Sequence, residues 1–449
     1  MNVEQILQLV PDYDVFLTVD ELAAECRRLS NEYPELITLK SIGKSRAGDD
    51  LWALVMGNGE KNALCFACPH PNEPIGAMTL ITLAGIFAKD TDLLEETGMT
   101  WHLIPCIDPD GTRLNEGWFK GPYSIENYVR GFYRPGGSQQ VEWTFPMDYK
   151  GHTFNDPIPE TRALMAMIQE LKPSFVFSLH NSAFGGAYWY ITNDDAKLCE
   201  ELENSAVRQG IPLHLGEPES FYIKKKSRAV HSMMSKRDYF DALEKDGRPV
   251  PPAPMSFGTC SADYISTVCD SLVLIAELPY FLAGSADDDT PSDMQRGAAF
   301  DEKANRRRAV YSFLKEHWGS VRTLMDAENP FPYLVDEAIE LHCGEGEKRS
   351  GSEDYNRLAT KAEKLDNLTL ARILEAQDLS LALRACDDAL SRCPGAAEQA
   401  VLENSRSEIN ERLRRECLAL EQSCSYEVIT IKRAVSLQLE SALQAASRC

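Results

Sequence analysis

One stretch of this 449-residue sequence decides the fold: ALCFACPHPNEP, at residues 63–74. An unbroken apolar run such as its first six residues is typical of a strand buried on both faces of a sheet. His70 and Glu73 follow the run, and a helix-like segment follows them at 75–86. A His nitrogen and a Glu oxygen at a strand end are donors that suit one zinc ion. Because so short a pattern recurs by chance, its support has to come from elsewhere in the chain.

Two further apolar runs end in residues of the same chemical kind. FVFSL at 175–179 is followed by His180, and LVLIA at 272–276 is followed by Glu277. Open α/β sheets place their sites at the carboxyl ends of strands, so the three strand ends are expected to meet. A lone His in this position is more often structural, and Glu277 alone could be a half-buried salt-bridge partner. Burying an unpaired carboxylate is costly, however, which favours a functional reason for Glu277.

The chain from about residue 17 to about residue 281 resembles the zinc carboxypeptidase family, the carboxypeptidase A-like metallopeptidases. The resemblance rests on motifs that come in the family's order: HPNE at 70–73, DPDG at 108–111, PETRA at 159–163, SLH at 178–180 and AEL at 276–278. It implies that His70, Glu73 and His180 hold one Zn²⁺ ion. It also implies that Glu277 is the general base and acid.

The residue types predict the same chemistry. Three protein ligands leave a fourth metal position for water, whose pKa falls towards neutrality beside zinc. Glu277 would accept a proton from that water and return it to the leaving amine. The oxygen that becomes negative also needs a positive partner. Arg130 is expected to supply it, because the family has an Arg somewhat after its Pro-Asp-Gly turn, and Arg113 and Arg134 are the alternatives.

One departure from the family concerns the substrate. Members that remove C-terminal residues usually have an Asn-Arg pair that grips the terminal carboxylate, and the corresponding segment VEWTFP at 141–146 lacks it. An Arg fork binds a carboxylate bidentately, so its loss removes the most direct reason to prefer a free C-terminus. Either Arg134 or Arg162 binds the carboxylate instead, or the substrate is not a peptide C-terminus. Tyr264 is the candidate for the family's mobile Tyr, with a structural aromatic as the alternative.

Strand-like and helix-like runs alternate up to about residue 281, which predicts an α/β fold with a mixed, mostly parallel sheet and helices on both faces. Beyond a polar linker, apolar residues recur at three- and four-residue spacing, as in amphipathic helices. We therefore predict a catalytic domain at 1–290 and an α-helical region at 291–449, with loop-like breaks at 343–352 and 392–396. The helical region is expected to pack on the catalytic domain. Homo-oligomer formation and substrate gating are the alternatives.

The composition argues against some classes of binding partner and indicates a location. The net charge of −23 argues against nucleic acid and anionic membrane surfaces, since both are polyanions. No run approaches the ~20 apolar residues of a membrane span, and the first ten residues lack the pattern of a secretory signal. Thirteen cysteines without a framework spacing fit free thiols in a reducing compartment. The sequence therefore predicts a cytoplasmic protein.

Three functions remain open from the sequence. The first is a zinc-dependent hydrolase that cleaves an amide bond in a small peptide or peptide-like metabolite. The second is an N-acyl amino-acid amidohydrolase, which the missing Asn-Arg pair keeps in view. The third is a non-catalytic binding protein on a degenerate fold, and the presence of all three ligands and the acid argues against it.

Overall fold

The structure is a computed structural model that describes residues 3–249, 256–343, 353–392 and 395–449. The predicted breaks at 343–352 and 392–396 lie partly outside the described residues. The strands are β1 (Ile37–Lys44), β2 (Asp50–Met56), β3 (Lys61–Ala67), β4 (Met99–Ile104), β5 (Met147–Tyr149), β6 (His152–Phe154), β7 (Phe175–Gly185), β8 (Tyr188–Ile191), β9 (Val230–Ser232), β10 (Leu272–Ala283), β11 (Pro291–Gln295), β12 (Leu358–Thr360) and β13 (Tyr426–Val428).

Helices precede, separate and follow these strands. They are α1 (Val3–Gln8), α2 (Val19–Glu32), α3 (Ile75–Lys89), α4 (Thr91–Glu96), α5 (Pro109–Arg113), α6 (Glu116–Phe119), α7 (Ile125–Gly131), α8 (Pro159–Leu171), α9 (Ala196–Arg208), α10 (Lys236–Lys245), α11 (Ser261–Ile265), α12 (Arg296–Val321), α13 (Pro332–His342), α14 (Glu353–Asn356), α15 (Lys361–Leu365), α16 (Ala371–Ser391), α17 (Ala396–Ser423) and α18 (Ile431–Ala446).

The main sheet has the order β1-β2-β4-β3-β7-β10-β8-β9, and β13 pairs with β10. Its centre is parallel, because β4, β3, β7 and β10 all run in one direction. Antiparallel pairs flank this centre, β2 with β4 on one side and β8 with β10 on the other. The mixed sheet that the sequence predicts is confirmed. All three site-bearing strands belong to its parallel centre.

Both faces of the sheet are buried, as the unbroken apolar runs predict. In β3, Ala63 and Cys65 belong to one apolar core, whereas Leu64 and Phe66 belong to a second core. Neighbouring strand residues point to opposite faces, so the two cores lie on opposite sides of the sheet. Helices α3 and α18 contribute to the first core and α8 to the second. The prediction of helices on both faces is therefore confirmed.

Local signals explain where helices begin and end. Thr18 caps α2 by accepting from the Glu21 backbone N–H, while the Glu21 side chain accepts from the Thr18 N–H. Pro159 occupies the first turn of α8, where its missing N–H costs nothing. The same helix ends at Lys172, which adopts a left-handed conformation with φ of 43°.

The C-terminal region is helical, as predicted, and packs directly against the catalytic part. Helix α18 contacts α3, α9 and β10, and its apolar residues belong to the same core as the sheet. Strand β13 extends the main sheet by pairing Val428 with Phe281. The boundary near residue 290 stays a prediction, because chain from both sides of it forms one core. Among the described helices, none is long and apolar enough to cross a membrane.

Candidate active site

Three predicted ligand residues meet at the carboxyl ends of β3 and β7. Cys68, just after β3, has a left-handed φ of 54° and turns the chain so that His70 and Glu73 face the neighbouring strand. His180 lies within β7. The potential ligand atoms of His70, Glu73 and His180 all lie within 4.8 Å of one another, and the three residues are buried.

The spacing of these atoms fits a tetrahedral ion. His70 Nδ1 and His180 Nδ1 are 3.1 Å apart, and each is close to a Glu73 oxygen, at 3.2 Å and 3.0 Å respectively. Ligands ~2.05 Å from a tetrahedral zinc are separated by about 3.3 Å, so the three ligand residues themselves need little movement to admit the ion. Two nitrogens and a carboxylate oxygen are also donors that zinc prefers. The group could therefore hold zinc.

The protonation of the two histidines differs strongly. Burial and the nearby Arg134 lower the pKa of His70 to about 4, so its imidazole is neutral at ordinary pH. Burial alone would also lower the pKa of His180, but the carboxylates of Glu142 and Glu73 outweigh it and raise that pKa to about 10. A metal ion that binds His180 has to displace this proton.

Glu277 lies beside the cluster, on the adjacent strand β10. Its Cα is the register partner of His180, and its Oε1 is 3.9 Å from His180 Nδ1. Burial, together with the negative charge of Glu73, raises the pKa of Glu277 well above its ordinary value. A carboxyl group that resists ionisation next to a metal site is suited to exchange protons during a reaction.

Glu142 belongs to the site, and the sequence interpretation missed it. Its buried carboxylate accepts from Ser178 Oγ at 2.6 Å, from the Ser261 N–H at 2.8 Å and from Ser261 Oγ at 3.0 Å. Burial alone would raise the pKa of Glu142, but hydrogen bonding and charge from His180 lower it to about 2. The only signal of this role in the sequence is the presence of a Glu within VEWTFP, the segment that lacks the Asn-Arg pair.

Glu142 acts on His180 through a short relay. His180 Nε2 is 2.8 Å from Ser178 Oγ, and Ser178 donates its own hydrogen to Glu142. Ser178 can therefore accept the Nε2 hydrogen of His180, so that loss of one proton from the ring leaves the tautomer with a free Nδ1. That nitrogen is the one facing His70 and Glu73.

The C-terminal helix also supports the site, which the sequence did not indicate. On α18, Gln438 Nε2 donates to the backbone carbonyl of His180 at 2.9 Å, and Gln438 Oε1 accepts from Thr79 Oγ1 at 2.8 Å. Gln438 is fully buried. Its amide therefore joins the strand that bears His180 to helix α3, which follows His70 and Glu73.

The predicted arginines separate into two groups. Arg134 lines the cavity at the cluster, with its NH1 group 3.5 Å from Glu73 Oε1 and its NH2 group in contact with His70 Nδ1. Arg130 is not brought to the site: its guanidinium pairs with Glu126 and donates to Asn410 of α17. Helix α7 turns the guanidinium of Arg130 towards the helical region and away from the cluster.

The alternatives Arg113 and Arg162 are also engaged elsewhere. Arg113 pairs with Asp49 and Asp20. Arg162 is largely exposed at 59% of its side chain, and it lies 3.6 Å from Asp156. Arg134 is therefore the arginine, among those predicted, that the structure brings to the cluster.

Tyr264 is placed in the core and not over the cluster. Its hydroxyl accepts from Gln169 Nε2 at 2.6 Å, and its ring packs against Phe145 with centroids 5.4 Å apart. Its neighbours Ser261 and Ala262 line the cavity, whereas Tyr264 does not. These contacts fit the alternative in which Tyr264 is a structural aromatic, and they do not bring its ring to the substrate cavity.

The cluster lies in a cavity of about 480 Å³. The sheet, the loop at 216–219 and the helical region all contribute to its walls. Residues from the helical region that line it include Lys303, Asp366, Leu370, Leu374 and Gln377. A pocket of this size accommodates a small molecule or a short peptide segment.

A metal-ligand cluster at the end of a mixed α/β sheet, with an acid beside it, defines a metallohydrolase class of site. Residues 22–214 match the family described as zinc carboxypeptidase. This match confirms, over those residues, the resemblance to the zinc carboxypeptidase family that the sequence predicts. The same match confirms zinc as the cofactor, because the family is a zinc family and the His-Glu-His group could hold the ion.

Individual carboxypeptidases are also similar to this chain. Human Carboxypeptidase D is 30% identical over 243 residues, which cover 47% of this chain and 16% of that protein. Mouse Carboxypeptidase M is 26% identical over 183 residues, covering 37% of this chain and 39% of that protein. The chain thus spans about a sixth of the length of Carboxypeptidase D. A solved structure, the carboxypeptidase A of Helicoverpa armigera, is 15% identical with a TM-score of 0.40, covering 62% of this chain and 70% of that one.

Proposed function

We propose that this protein is a zinc-dependent hydrolase that cleaves an amide bond in a small peptide or peptide-like metabolite. One observation supports this above the others. His70, Glu73 and His180 converge on one point inside a cavity of about 480 Å³, and Glu277 lies beside them on the next strand. The reaction needs an ion site, an acid within reach and room for a substrate, and all three are present.

The ion would be held by His70 and His180 through Nδ1 and by a Glu73 carboxylate oxygen. When bound, zinc supplies a Lewis acid that makes water more acidic and polarises the substrate carbonyl. Ser178 and Glu142 keep His180 in the tautomer that leaves Nδ1 free. These residues also fix the orientation of the His180 ring before any substrate binds.

Glu277 is assigned the proton transfers. One carboxylate oxygen accepts a proton from the attacking water while the water oxygen bonds to the amide carbon. The same oxygen then gives the proton to the leaving nitrogen as the carbon–nitrogen bond breaks, so the carboxylate is regenerated. Burial raises the pKa of Glu277, which helps it to donate in the second step, and a bound cation would help it to ionise before the first.

Arg134 is assigned a contact with substrate. It lines the cavity beside Glu73, and its guanidinium carries several N–H donors towards the site. A guanidinium in this position can bind the developing oxyanion or a substrate carboxylate. Arg134 therefore replaces Arg130, whose guanidinium is committed to Glu126 and Asn410.

A second candidate, an N-acyl amino-acid amidohydrolase, is favoured by the segment that lacks the Asn-Arg pair. The hydroxyl of Thr144 is 2.6 Å from Thr161 Oγ1, and the ring of Phe145 is fully buried against Tyr264. Neither residue lines the cavity. This segment therefore offers no cationic anchor for a peptide C-terminus, and a non-peptide amide remains a reasonable substrate.

The test is hydrolysis of matched short peptides by the zinc-loaded protein, one set with free C-termini and one amidated, followed by mass spectrometry. Release of single C-terminal residues from the free set alone would establish carboxypeptidase action. Cleavage of N-acyl amino acids, with both peptide sets intact, would favour the second candidate. Zinc bound at one ion per chain, with no cleavage of any of these amides, would contradict the proposal and favour the binding protein.

Two matched variants make this test specific. Glu277→Gln keeps the shape of the side chain and removes its ability to act as a base, so turnover should disappear. Glu200→Gln makes the same chemical change at an exposed position of α9 and should leave turnover unchanged. Activity that survives in Glu277→Gln would come from a contaminant or from a different acid.

Two further predictions belong with this proposal. The helical region is a candidate for self-association, and the cytoplasm is the expected location. The free thiols among the described cysteines are compatible with a reducing compartment. Measurement of the mass in solution tests the first, and localisation of the tagged full-length protein tests the second.

A further inference from the structure

Arg134 lies on a segment that has no regular secondary structure of its own. Residues 132–136 follow helix α7 and form neither helix nor strand. The backbone groups of such a segment need partners from outside it, because a buried N–H or C=O group is costly to leave unpaired. The direction of the Arg134 side chain therefore depends on which groups hold the backbone on each side of it.

Side chains of the catalytic part hold the two residues that flank Arg134. Asn115 bonds to both backbone groups of Tyr133: its Oδ1 accepts from the Tyr133 N–H at 2.9 Å, and its Nδ2 donates to the Tyr133 carbonyl at 2.8 Å. On the other side, Gln140 Nε2 donates to the Pro135 carbonyl at 2.6 Å. These bonds fix the chain directly before and directly after Arg134.

The helical region holds the preceding residues through Arg384, on α16. Arg384 NH1 donates to the carbonyls of Gly131 and Phe132, at 2.9 and 2.7 Å, and its NH2 group donates to the carbonyl of Leu114 at 2.7 Å. One guanidinium thus joins the end of α7 to the residue before Asn115. A flat group with several N–H donors suits this task, because it reaches several carbonyls at fixed angles.

Packing fixes the orientation of Arg384. Its guanidinium carbon lies 4.7 Å from the centroid of the Phe331 ring, and that ring packs against Tyr133 with centroids 5.8 Å apart. Burial lowers the pKa of Arg384 to about 10, so the group is still a cation at neutral pH. Its three hydrogen bonds therefore come from a charged donor, which makes them stronger than bonds between neutral groups.

Two other residues of α16 bond to the same part of the chain. Gln377 Nε2 donates to the Tyr128 hydroxyl at 3.3 Å, and Ser380 Oγ donates to the Arg130 carbonyl at 3.3 Å. Positions 377, 380 and 384 are three and four residues apart, so they lie on one face of the helix. This face of α16 therefore runs along α7 and reaches residue 132.

We propose that Arg384 is a positioning residue for Arg134. It fixes the backbone at residues 131 and 132, and that backbone directs the Arg134 guanidinium into the cavity beside Glu73. The inference rests on the hydrolase proposed above, in which Arg134 contacts the substrate. It gives the helical region a part in the reaction without a contact between Arg384 and substrate, since Arg384 does not line the cavity.

Zinc affinity reports where the Arg134 guanidinium lies. In the metal-free protein it contacts His70 Nδ1 and lies 3.5 Å from Glu73 Oε1, so a zinc ion has to displace it from two ligand atoms. Arg134→Met should therefore tighten zinc binding by about tenfold, because removal of a nearby positive charge favours a cation. Arg384→Met should tighten it by up to the same factor, since a loosened segment holds Arg134 less firmly at the cluster. General damage to the fold would weaken zinc binding instead.

A double-mutant cycle decides between direct and indirect action. The assay is competition for zinc with a coloured chelator, for the wild type, the two single variants and the double variant. If Arg384 acts through Arg134, the double variant should bind zinc no more tightly than Arg134→Met alone. Additive effects would overturn the proposal, and so would a folded Arg384→Met with wild-type or weaker zinc affinity. An Arg134→Met variant with wild-type zinc affinity would overturn it too, because Arg134 would then not lie at the cluster.

Two further variants control for stability. Arg433, on α18, donates to the carbonyls of Gln209 and Gly210 at 2.8 and 2.7 Å, and neither residue lines the cavity. Arg433→Met therefore removes the same kind of bond between the helical region and the catalytic backbone, and it should leave zinc affinity unchanged. Arg384→Lys keeps the charge and reaches fewer carbonyls, so its zinc affinity should fall between those of the wild type and Arg384→Met. It replaces Arg384→Met in the cycle if that variant does not fold.

Turnover separates this inference from the hydrolase. Arg384→Met should lower kcat/KM by ~10–100-fold, because a small displacement of a group that binds the transition state is costly, and it should add nothing to Arg134→Met. Coupled zinc affinities in a protein that hydrolyses no amide would keep the role of Arg384 in placing Arg134 and contradict the hydrolase. A loss of kcat/KM in Arg134→Met, with wild-type kcat/KM in Arg384→Met, would keep the hydrolase and contradict this inference.

Discussion

Replacing Glu142 by Gln tests whether this buried carboxylate controls the metal site. The substitution keeps the size of the side chain and removes its negative charge. Glu142 receives hydrogens from Ser178 Oγ, from the Ser261 N–H and from Ser261 Oγ. A Gln oxygen can still accept from the Ser261 N–H, and the two hydroxyls can rotate to accept from the new amide. The fold should therefore survive, while the tautomer control over His180 weakens.

The expected losses of zinc affinity and of stability follow from these contacts. Loss of an outer carboxylate behind a metal-binding His typically weakens metal affinity by ~10–100-fold. That range corresponds to about 1.4–2.8 kcal/mol at 25 °C. We also expect the metal-free protein to lose about 1–3 kcal/mol of unfolding free energy, because hydrogen bonds to a buried charged group become bonds to a neutral one.

The assay is competition for zinc with a coloured chelator, at fixed pH, for the wild type, Glu142→Gln and the exposed control Glu200→Gln. Thermal unfolding of the three metal-free proteins gives the change in stability. Only Glu142→Gln should weaken zinc binding. The reasoning would be refuted if this variant bound zinc as tightly as the wild type and folded normally, because the relay through Ser178 would then have no influence on His180.

The remaining predictions address the site and its support. Glu277→Gln should abolish turnover and leave zinc bound at one ion per chain in elemental analysis, and loss of the ion would make Glu277 a ligand. His180→Ala should reduce zinc content, and full retention would remove His180 from the ion's ligands. In the wild type, zinc affinity should rise with pH from about 6.5 to about 10 in a chelator titration, because the metal displaces the proton that the raised pKa holds on His180. The same raised pKa stabilises the metal-free fold below pH ~6.5, and this stabilisation should be lost as the pH rises towards 10 in denaturation curves. Gln438→Leu should lower the unfolding free energy by about 1–3 kcal/mol in urea titrations, because it removes the buried amide that donates to the His180 carbonyl, and an unchanged midpoint would contradict that reason.

Some residues of the site could be found from the sequence because their signal is local. The strand that precedes His70 is an unbroken apolar run, and so are those that precede His180 and Glu277. Such runs form buried strands whatever surrounds them, and parallel strands present their carboxyl ends at one edge. The position of Arg130 could not be found from the sequence, because a short helix can turn either face to the sheet. Only its contacts with Glu126 and Asn410 reveal which face it turns.

Periodicity and motif order are properties of short segments, so the fold class, the resemblance to a family and the candidate ligand residues can be found in the sequence. Which distant groups act on these residues depends on the tertiary structure. Glu142 reaches His180 through Ser178, and Gln438 holds the His180 carbonyl from 258 residues further along the chain. No local pattern encodes these contacts. They arise when the sheet register and the packing of the C-terminal helix fill one core, and the geometry of that core selects which buried polar groups can pair.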